Sequence, residues 1–229
     1  KRKVNIINNC LISSKNMVMK HTKNMISTIY DTLNAADLDE LEDIYKNWAS
    51  DYEYDVIQLA GYVGHLITSD LLLKNLKNYN AKILDAGCGT GLVGEILSKN
   101  NFKNIEGVDF SEEMLSIANQ KNIYKSLNLF DLTKKLAYSD NSFDAIICAG
   151  TFTCGHVGPG SLLEMVRITK EGGFICFTVR KQEWEAAPYM QILDKLVNSN
   201  SLKKIVHNTS GYNIKEGISC QLCLYQKTI

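Results

Sequence analysis

Residues 83–91 read ILDAGCGTG, and this stretch decides the fold prediction. Its apolar start is typical of a buried β-strand, and the residues that follow it open a helical pattern. Gly87, Gly89 and Gly91 permit backbone conformations and close approaches that side chains forbid. The free N–H groups at a helix start favour an anion. The stretch therefore predicts a strand, a turn and a helix, with the turn holding the negatively charged part of a ligand.

Apolar runs of strand length alternate with helical patterns from Lys82 onward, which predicts βαβ units and a mostly parallel sheet. A short connection, Thr209–Asn213, joins the last two strands, so that pair is predicted to be antiparallel. We expect a doubly wound α/β fold. The predicted strands lie near 82–86, 104–109, 127–130, 143–149, 173–179, 202–208 and 219–227.

Two helical patterns precede the sheet. One is carried by Leu38, Leu41, Tyr45 and Trp48, and the other runs from Val56 to Ile67. Residues 1 to about 30 show no clear period beyond one candidate turn of helix, Met25–Tyr30. We therefore divide the chain into an N-terminal helical extension, residues 1–79, and a ligand-binding domain, residues 80–229, within one structural domain.

The charge balance and the cysteines exclude several classes of protein. Lys plus Arg and Asp plus Glu number 25 each, which removes the broad positive field of a nucleic-acid binder. No segment approaches the roughly 20 apolar residues of a membrane span, so the expected location is cytoplasmic and away from membranes. Cys220 and Cys223 face opposite sides of a predicted strand, which favours core cysteines and no metal site. The sequence predicts no particular oligomeric state.

An acidic residue at the end of the second strand is expected to accept the two ribose hydroxyls of a nucleoside. Asp109 stands there, 109 − 91 = 18 residues after Gly91, although it is also suited to cap the helix that begins at Ser111. Phe110 and Met114 would flank an adenine or belong to the core. Further along, Asp131 would meet the adenine edge and Leu132 its ring, although an aspartate after a strand is often a turn former.

The same turn also fits the dinucleotide fingerprint, because Gly89, Gly91 and Gly94 have the spacing G-x-G-x-x-G. In that fingerprint the first glycine directly follows the strand, whereas this strand ends earlier and carries Asp85. A carboxylate repels a pyrophosphate and attracts the ammonium group of S-adenosylmethionine. The register favours S-adenosylmethionine, and an NAD-dependent oxidoreductase remains the alternative.

Four motifs together resemble the class I S-adenosylmethionine-dependent methyltransferases: LDAGCGTG at 84–91, DFS at 109–111, FDA at 143–145 and KEGGF at 170–174. Residues 45–55, 155–157 and 163–180 resemble, more narrowly, the methyltransferase-like proteins linked to the Williams-Beuren syndrome chromosomal region. Glu171 departs from the proline usual at its turn. The resemblance implies a seven-stranded sheet, S-adenosylmethionine as cofactor and S-adenosylhomocysteine as product, and it leaves the acceptor open.

Carried over by position, the resemblance assigns most of a cofactor site. Asp85, Gly87, Gly89 and Asp109 would hold the methionine and ribose parts, Asp131 and Leu132 the adenine, and the carbonyl of Ala149 the amino group. Trp48 and Tyr52 would belong to a lid over the cofactor, where an aromatic ring gains a cation–π attraction from the sulfonium. Their helical spacing equally suits a buried stripe, and for Tyr45 we favour the core.

Methyl transfer from a sulfonium needs alignment and a water-poor pocket, and a catalytic base is optional. His156 is the candidate base, unless it only bonds backbone in its loop. Arg180 could pair with an acidic acceptor or be solvated. The turn Ala149–Phe152 lacks the Pro-Pro-aromatic pattern of amino-nitrogen methyltransferases. A small-molecule acceptor is therefore our first hypothesis, a protein acceptor the second, and a cofactor-binding protein without catalysis the third.

Overall fold

The computed structural model describes residues 23–153 and 157–229, and its centre is a seven-stranded sheet. The strand order is β3-β2-β1-β4-β5-β7-β6. Strands β1 to β5 run parallel to one another, whereas β7 is antiparallel to both β5 and β6. The antiparallel pairing of the last two strands is as predicted. The strands are β1 (Ile83–Ala86), β2 (Ile105–Asp109), β3 (Ser126–Leu129), β4 (Phe143–Phe152), β5 (Thr169–Arg180), β6 (Leu202–Asn213) and β7 (Ile218–Lys227).

Helices cover both faces of the sheet, which confirms the doubly wound architecture. Residues 23–34 are helical and are named α1 here. The others are α2 (Leu38–Trp48), α3 (Gly64–Asn75), α4 (Leu92–Lys99), α5 (Glu112–Gln120), α6 (Ser161–Ile168), α7 (Lys181–Ala186) and α8 (Tyr189–Asn198). Helices α3 and α4 pack on one face, and α6 and α8 pack on the other.

Local capping fixes the helices that border the ligand-binding edge. The Ser111 hydroxyl accepts a hydrogen bond from the Met114 amide at 3.3 Å and so begins α5, as the sequence predicts. At α2, Asp37 accepts from the Glu40 amide, and Glu40 accepts in turn from the Ala36 amide. These caps set where each helix starts relative to the strand ends.

The predicted helix from Val56 to Ile67 is wrong as a single element. The chain forms a π-helical turn (Tyr54–Leu59), then breaks at Gly61, which has a φ of +69°, before α3 begins. The break lets the backbone pair with the end of β6: the Val63 amide donates to the Tyr212 carbonyl, and the Ile214 amide donates to the Gly61 carbonyl. In a regular helix, those amide and carbonyl groups would form hydrogen bonds within the helix and could not pair with β6.

Other predicted bounds also change. Helix α1 is longer than the candidate turn Met25–Tyr30, β4 and β5 each extend past their predicted ends, and β3 lies one residue earlier. The predicted connection Thr209–Asn213 is wrong, because these residues continue β6 and pair with β7. Cys220 and Cys223 are both buried and unbonded to each other, in line with core packing. Within residues 23–153 and 157–229, no helix combines the length and apolar character needed to cross a bilayer.

Candidate active site

A cleft opens where the parallel strands end, with about 700 Å³ of free space counted out to the solvent. Its walls come from the carboxyl ends of β1, β2, β3 and β4 and from helix α2. In an open parallel sheet, ligands gather at this edge. The lining residues are Leu41, Tyr45, Tyr52, Gly87, Gly89, Asp109, Phe110, Met114, Phe130, Asp131, Leu132, Thr133, Ala149, Gly150, Thr151 and Val157.

The glycine turn after β1 forms the floor of the cleft. Gly87, Gly89 and Gly91 have φ values of +73°, +52° and +92°, a region that side chains rarely adopt. A Cβ on Gly87 would lie 2.1 Å from the Thr151 hydroxyl, so protein packing requires that glycine. A Cβ on Gly89 would meet no atom within 4 Å, because it would project into the cleft. Gly89 is therefore the point where a ligand can touch the backbone.

Asp109 closes the turn from the end of β2. One carboxylate oxygen accepts a hydrogen bond from the Gly89 amide at 2.8 Å, and the other accepts from the Ser111 amide at 3.1 Å. Burial raises the pKa of Asp109, and the amides of Gly89 and Ser111 act against that rise. Each oxygen keeps a second acceptor site, so the carboxylate can also receive two ligand hydroxyls. The capping role and the ligand role weighed from the sequence are thus compatible.

Asp85 lies behind the turn and does not line the cleft. One of its oxygens accepts a hydrogen bond from the Tyr124 hydroxyl at 2.7 Å, and the other is buried without a hydrogen-bond partner among the described residues. Burial raises the pKa of Asp85 to about 7, a rise that the Tyr124 bond partly offsets and Asp109 reinforces. Tyr124, which no sequence motif indicates, packs over Gly91 and Gly94.

The far end of the cleft is apolar with one polar group. Leu132 and Met114 are buried and line it, and Phe110 is half-buried with its ring 5.7 Å from that of Tyr45. Asp131 also lines it and accepts from the amide and hydroxyl of Thr133. Burial raises the pKa of Asp131, but the bonds from Thr133 and Lys134 outweigh it and leave that pKa below its usual value.

A second cavity of about 560 Å³ adjoins the cleft and shares Tyr45, Tyr52 and Gly150 with it. Trp48 lines this second cavity instead of the cleft, and its indole N–H donates to the Asp55 carboxylate at 2.8 Å. Its walls are mostly aromatic and aliphatic. The remaining lining residues are Ile29, Thr32, Leu33, Val56, Ala60, Tyr62, Thr153, Arg180, Tyr212 and Asn213.

The structure brings most of the predicted site residues together in the cleft: Tyr52, Gly87, Gly89, Asp109, Phe110, Met114, Asp131, Leu132 and Ala149. The candidate base, His156, lies outside the described residues. Tyr45, for which the sequence favoured the core, lines both cavities. Thr151 is a lining residue that the sequence analysis missed, although its position just past the predicted end of the fourth strand could have indicated it.

Comparisons with known proteins agree with this geometry. Residues 84–177 match the family model described as a methyltransferase domain. The chain is 35% identical over 147 residues to methyltransferase-like protein 27 of Homo sapiens, covering 63% of this chain and 59% of that protein. These matches support a class I S-adenosylmethionine-dependent methyltransferase domain at residues 84–177. It is also 32% identical over 145 residues to the ubiquinone/menaquinone biosynthesis C-methyltransferase UbiE of Rickettsia prowazekii, covering 56% of this chain and 57% of that enzyme.

The chain thus spans less than two thirds of the length of these curated relatives. Among solved structures, a TehB-like methyltransferase from Corynebacterium glutamicum superposes with a TM-score of 0.57 at 22% identity, covering 80% of this chain and 97% of that one. The [4+2]-cyclase SpnF superposes equally well, with a TM-score of 0.57 at 15% identity, covering 72% and 82%. These likenesses confirm the Rossmann-like fold of the methyltransferases.

Family and fold imply S-adenosylmethionine as the cofactor, and the described residues fit it. The open space over Gly89 admits a ligand against the backbone. Asp109 has acceptor capacity at the position suited to a ribose, and Leu132 and Met114 offer apolar faces for a base. The buried, unbonded oxygen of Asp85 adds negative potential beneath the turn, which suits a cationic ligand better than a pyrophosphate.

Proposed function

We propose that this chain transfers the methyl group of S-adenosylmethionine to a small-molecule acceptor by in-line displacement. The observation that carries the proposal is the meeting of the glycine turn, Asp109 and the Asp131–Leu132 pair in one cleft that adjoins a second, aromatic cavity. The first cavity suits a nucleoside, and the second provides a separate space for an acceptor. The alternatives are a protein acceptor and binding without catalysis.

We propose the following roles for the residues of the cleft. Gly87 and Gly89 present backbone to the methionine part, and Asp109 accepts from the ribose hydroxyls. At the other end, Asp131 receives the adenine amine and Leu132 packs on its ring, between Phe110 and Met114. The carbonyl of Ala149 accepts from the amino group, and Asp85 stabilises that cation from beneath. The cofactor supplies a methyl group activated by a positive sulfur.

The N-terminal helices would act as a lid. Lys121, which ends α5, pairs with Glu53 at 2.6 Å and with Glu95 at 2.5 Å, and so ties the segment after α2 to the sheet domain. In that role, Tyr52 and Trp48, which line the second cavity, would help to keep water away from a bound acceptor. Exclusion of water strengthens the electrostatic attraction between the rings and a sulfonium, and it protects the alignment on which an in-line reaction depends.

No His, Asp or Glu is among the described residues that line the second cavity. Burial raises the pKa of Tyr52 to about 12, and burial likewise keeps Tyr62 and Tyr212 protonated at neutral pH. These phenols are therefore poor bases. A mechanism by alignment and desolvation fits these walls, with His156 as the proposed base where the acceptor must lose a proton.

Named relatives favour a small acceptor. Besides UbiE, the chain is 34% identical over 91 residues to a malonyl-[acyl-carrier protein] O-methyltransferase of Bacillus cereus, covering 39% of this chain and 34% of that enzyme. The activities in the names of these two relatives differ in the atom methylated, so they support a small or carrier-borne acceptor without specifying its chemistry. The second cavity, which α1 and α2 help to line, also has the size of a small-molecule site.

Ligand-dependent stability tests the cofactor assignment. Thermal unfolding would be followed with S-adenosylmethionine, S-adenosylhomocysteine and NAD, each at several concentrations. A ligand that binds only the folded state raises the melting temperature in proportion to the logarithm of its concentration. We expect shifts with the two sulfur nucleosides and none with NAD. A shift with NAD alone would favour the oxidoreductase alternative.

Turnover separates an enzyme from a binding protein. The purified chain would be incubated with methyl-labelled S-adenosylmethionine and either a small-metabolite extract or a protein fraction from the same cells. We expect label in the small-metabolite fraction, and loss of that label in the Asp109→Ala variant. Label only in protein would support the protein acceptor, and cofactor binding without any transfer would support the non-catalytic alternative.

A further inference from the structure

Arg180 is a buried cation that no group in the described part of the chain neutralises. It ends β5, is only 8% exposed, and lines the second cavity. Within residues 23–153 and 157–229, it forms no ion pair and its Nε is buried without a hydrogen-bond acceptor. Lys181, the next residue, is exposed and pairs with Glu185 instead.

Such an arrangement costs folding free energy, because a buried charge without a partner loses its hydration and gains nothing in return. The walls of the second cavity do not provide compensation. They contain no Asp or Glu among the described residues, and the tyrosines beside Arg180 stay neutral because burial raises the pKa of each phenol. The contrast with Arg167 is direct, since that guanidinium bonds to Glu164 and Asp140.

The shape of the cavity indicates what kind of molecule would bring the missing charge. Five aromatic side chains line it, and the rings of Tyr62 and Tyr212 meet edge to face with their centroids 5.1 Å apart. Flat, apolar molecules pack well on such walls. The cavity adjoins the cofactor cleft, because Tyr45, Tyr52 and Gly150 line both, so a molecule held at Arg180 would lie beside the cofactor.

We propose that the methyl acceptor is a small aromatic or apolar acid whose anionic group is bound by Arg180. The planar guanidinium is suited to pair two of its N–H groups with the oxygens of a carboxylate or phosphate. This proposal rests on the proposed methyltransferase function, and it names the class of acceptor. The anion anchors one end of the molecule, and the aromatic walls position its body beside the cleft.

The test is a binding comparison with defined probes. Benzoate, phenyl phosphate and the uncharged benzamide would be titrated into the Trp184→Phe variant, in which fluorescence reports on Trp48 in the cavity wall. Titrations would be run with and without saturating S-adenosylhomocysteine. The same titrations on Arg180→Met isolate the guanidinium, and those on Lys181→Met control for loss of a positive charge at the adjacent, exposed position.

We expect at least one of the two acids to bind with a Kd of about 1 mM or better and at least about tenfold more tightly than benzamide. Arg180→Met should lose that preference, and Lys181→Met should keep it. The stronger of the two acids identifies carboxylate or phosphate as the recognised group. Equal binding of the acids and benzamide, a preference that survives in Arg180→Met, or no binding of either acid would overturn the proposal.

A parallel thermal-shift series separates this proposal from the one on which it rests. S-adenosylhomocysteine should stabilise the parent chain and Arg180→Met equally, because Arg180 lies outside the cofactor cleft. Failure of the nucleoside to stabilise the parent chain would contradict the cofactor assignment alone. In that case, the titrations without nucleoside would still measure whether Arg180 selects acids over benzamide.

Discussion

Two buried charged residues at the same edge of the sheet differ in whether the chain provides partners for their charge. Asp109 in the cofactor cleft accepts a backbone amide on each oxygen, whereas Arg180 in the second cavity has no ion pair among the described residues. The chain itself compensates the first charge, so the turn is set before any ligand arrives. The second charge is left for a ligand. The chain thus preorganises the site of the cofactor, and it leaves an uncompensated charge in the proposed site of the acceptor.

The two cavities also differ in how far apart in sequence their walls lie. The cofactor cleft is built from short motifs that directly follow strands β1, β2 and β3. The second cavity collects residues from α1, the segment between Trp48 and Tyr62, and the ends of β4, β5 and β6. Its geometry therefore depends on tertiary packing, and the following predictions test that contrast.

Replacing Asp85 should have the largest effect, a change in how the free energy of unfolding depends on pH, because Asp85 is the least compensated charge beneath the cofactor turn. Burial raises its pKa in the folded chain to about 7, above the usual aspartate pKa of 3.8, so its favourable contribution is complete below pH 4 and is lost as the pH rises through 7. Relative to Asp85→Asn, the unfolding free energy of the parent chain should fall by up to about 4 kcal/mol across that window. Urea unfolding at a series of pH values measures the difference.

His65 titrates in the opposite sense and is present in both proteins. Burial lowers its pKa to about 4, so its contribution is complete above pH 6.5 and is lost on acidification toward pH 4. Taking the difference between the parent chain and Asp85→Asn cancels this effect. A difference that stays constant from pH 4 to 7 would contradict the assignment of a raised pKa to Asp85.

Asp109→Ala should weaken S-adenosylhomocysteine binding by about 100-fold or more. It removes an acceptor for two ligand hydroxyls, each bond to a charged group contributing about 1.5–3 kcal/mol, and it also releases the Gly89 and Ser111 amides. Calorimetric titration measures the affinity. Asp70→Ala is the matched control, since Asp70 is exposed and bonds only Lys74 across one helical turn. An unchanged affinity in Asp109→Ala would remove the ribose assignment.

The sequence predicted the parts of the molecule that short motifs encode. Residues 83–91 and Asp109 were assigned to the ligand-binding edge from local pattern alone, and the sheet topology followed from alternating strands and helices. Tyr62 and Tyr212 could not be predicted as neighbours, because they meet only after Gly61 breaks the helical pattern and the backbone joins β6. The sequence alone could not decide whether Arg180 pairs with an acidic acceptor or is solvated, because the burial of a strand end is determined by elements distant in sequence.

Gly89→Ala and Gly217→Ala form a matched pair that separates ligand contact from backbone strain. Their φ values are +52° and +67°, and an added Cβ meets no atom within 4 Å at either site. Each substitution should cost about 1 kcal/mol of unfolding free energy. Only Gly89→Ala should weaken S-adenosylhomocysteine binding, by about tenfold or more, because only its Cβ enters the cleft. Equal affinities in the two variants would argue against backbone contact at Gly89.

Replacing Arg180 should have the smallest effect on the free energy of unfolding, and that effect distinguishes most directly between a compensated and an uncompensated buried charge. Without ligand, Arg180→Met should leave the unfolding free energy unchanged or slightly higher, because it removes a buried charge that has no partner and keeps most of the side-chain volume. Arg167→Met should instead lose about 1 kcal/mol or more, since Arg167 bonds to Glu164, Asp140 and the carbonyls of Leu136 and Tyr138. Urea unfolding of the two variants without nucleoside or acid gives the comparison. A loss at Arg180 as large as that at Arg167 would mean that the guanidinium already has a partner in the folded chain, and the reason to expect an acidic ligand there would disappear.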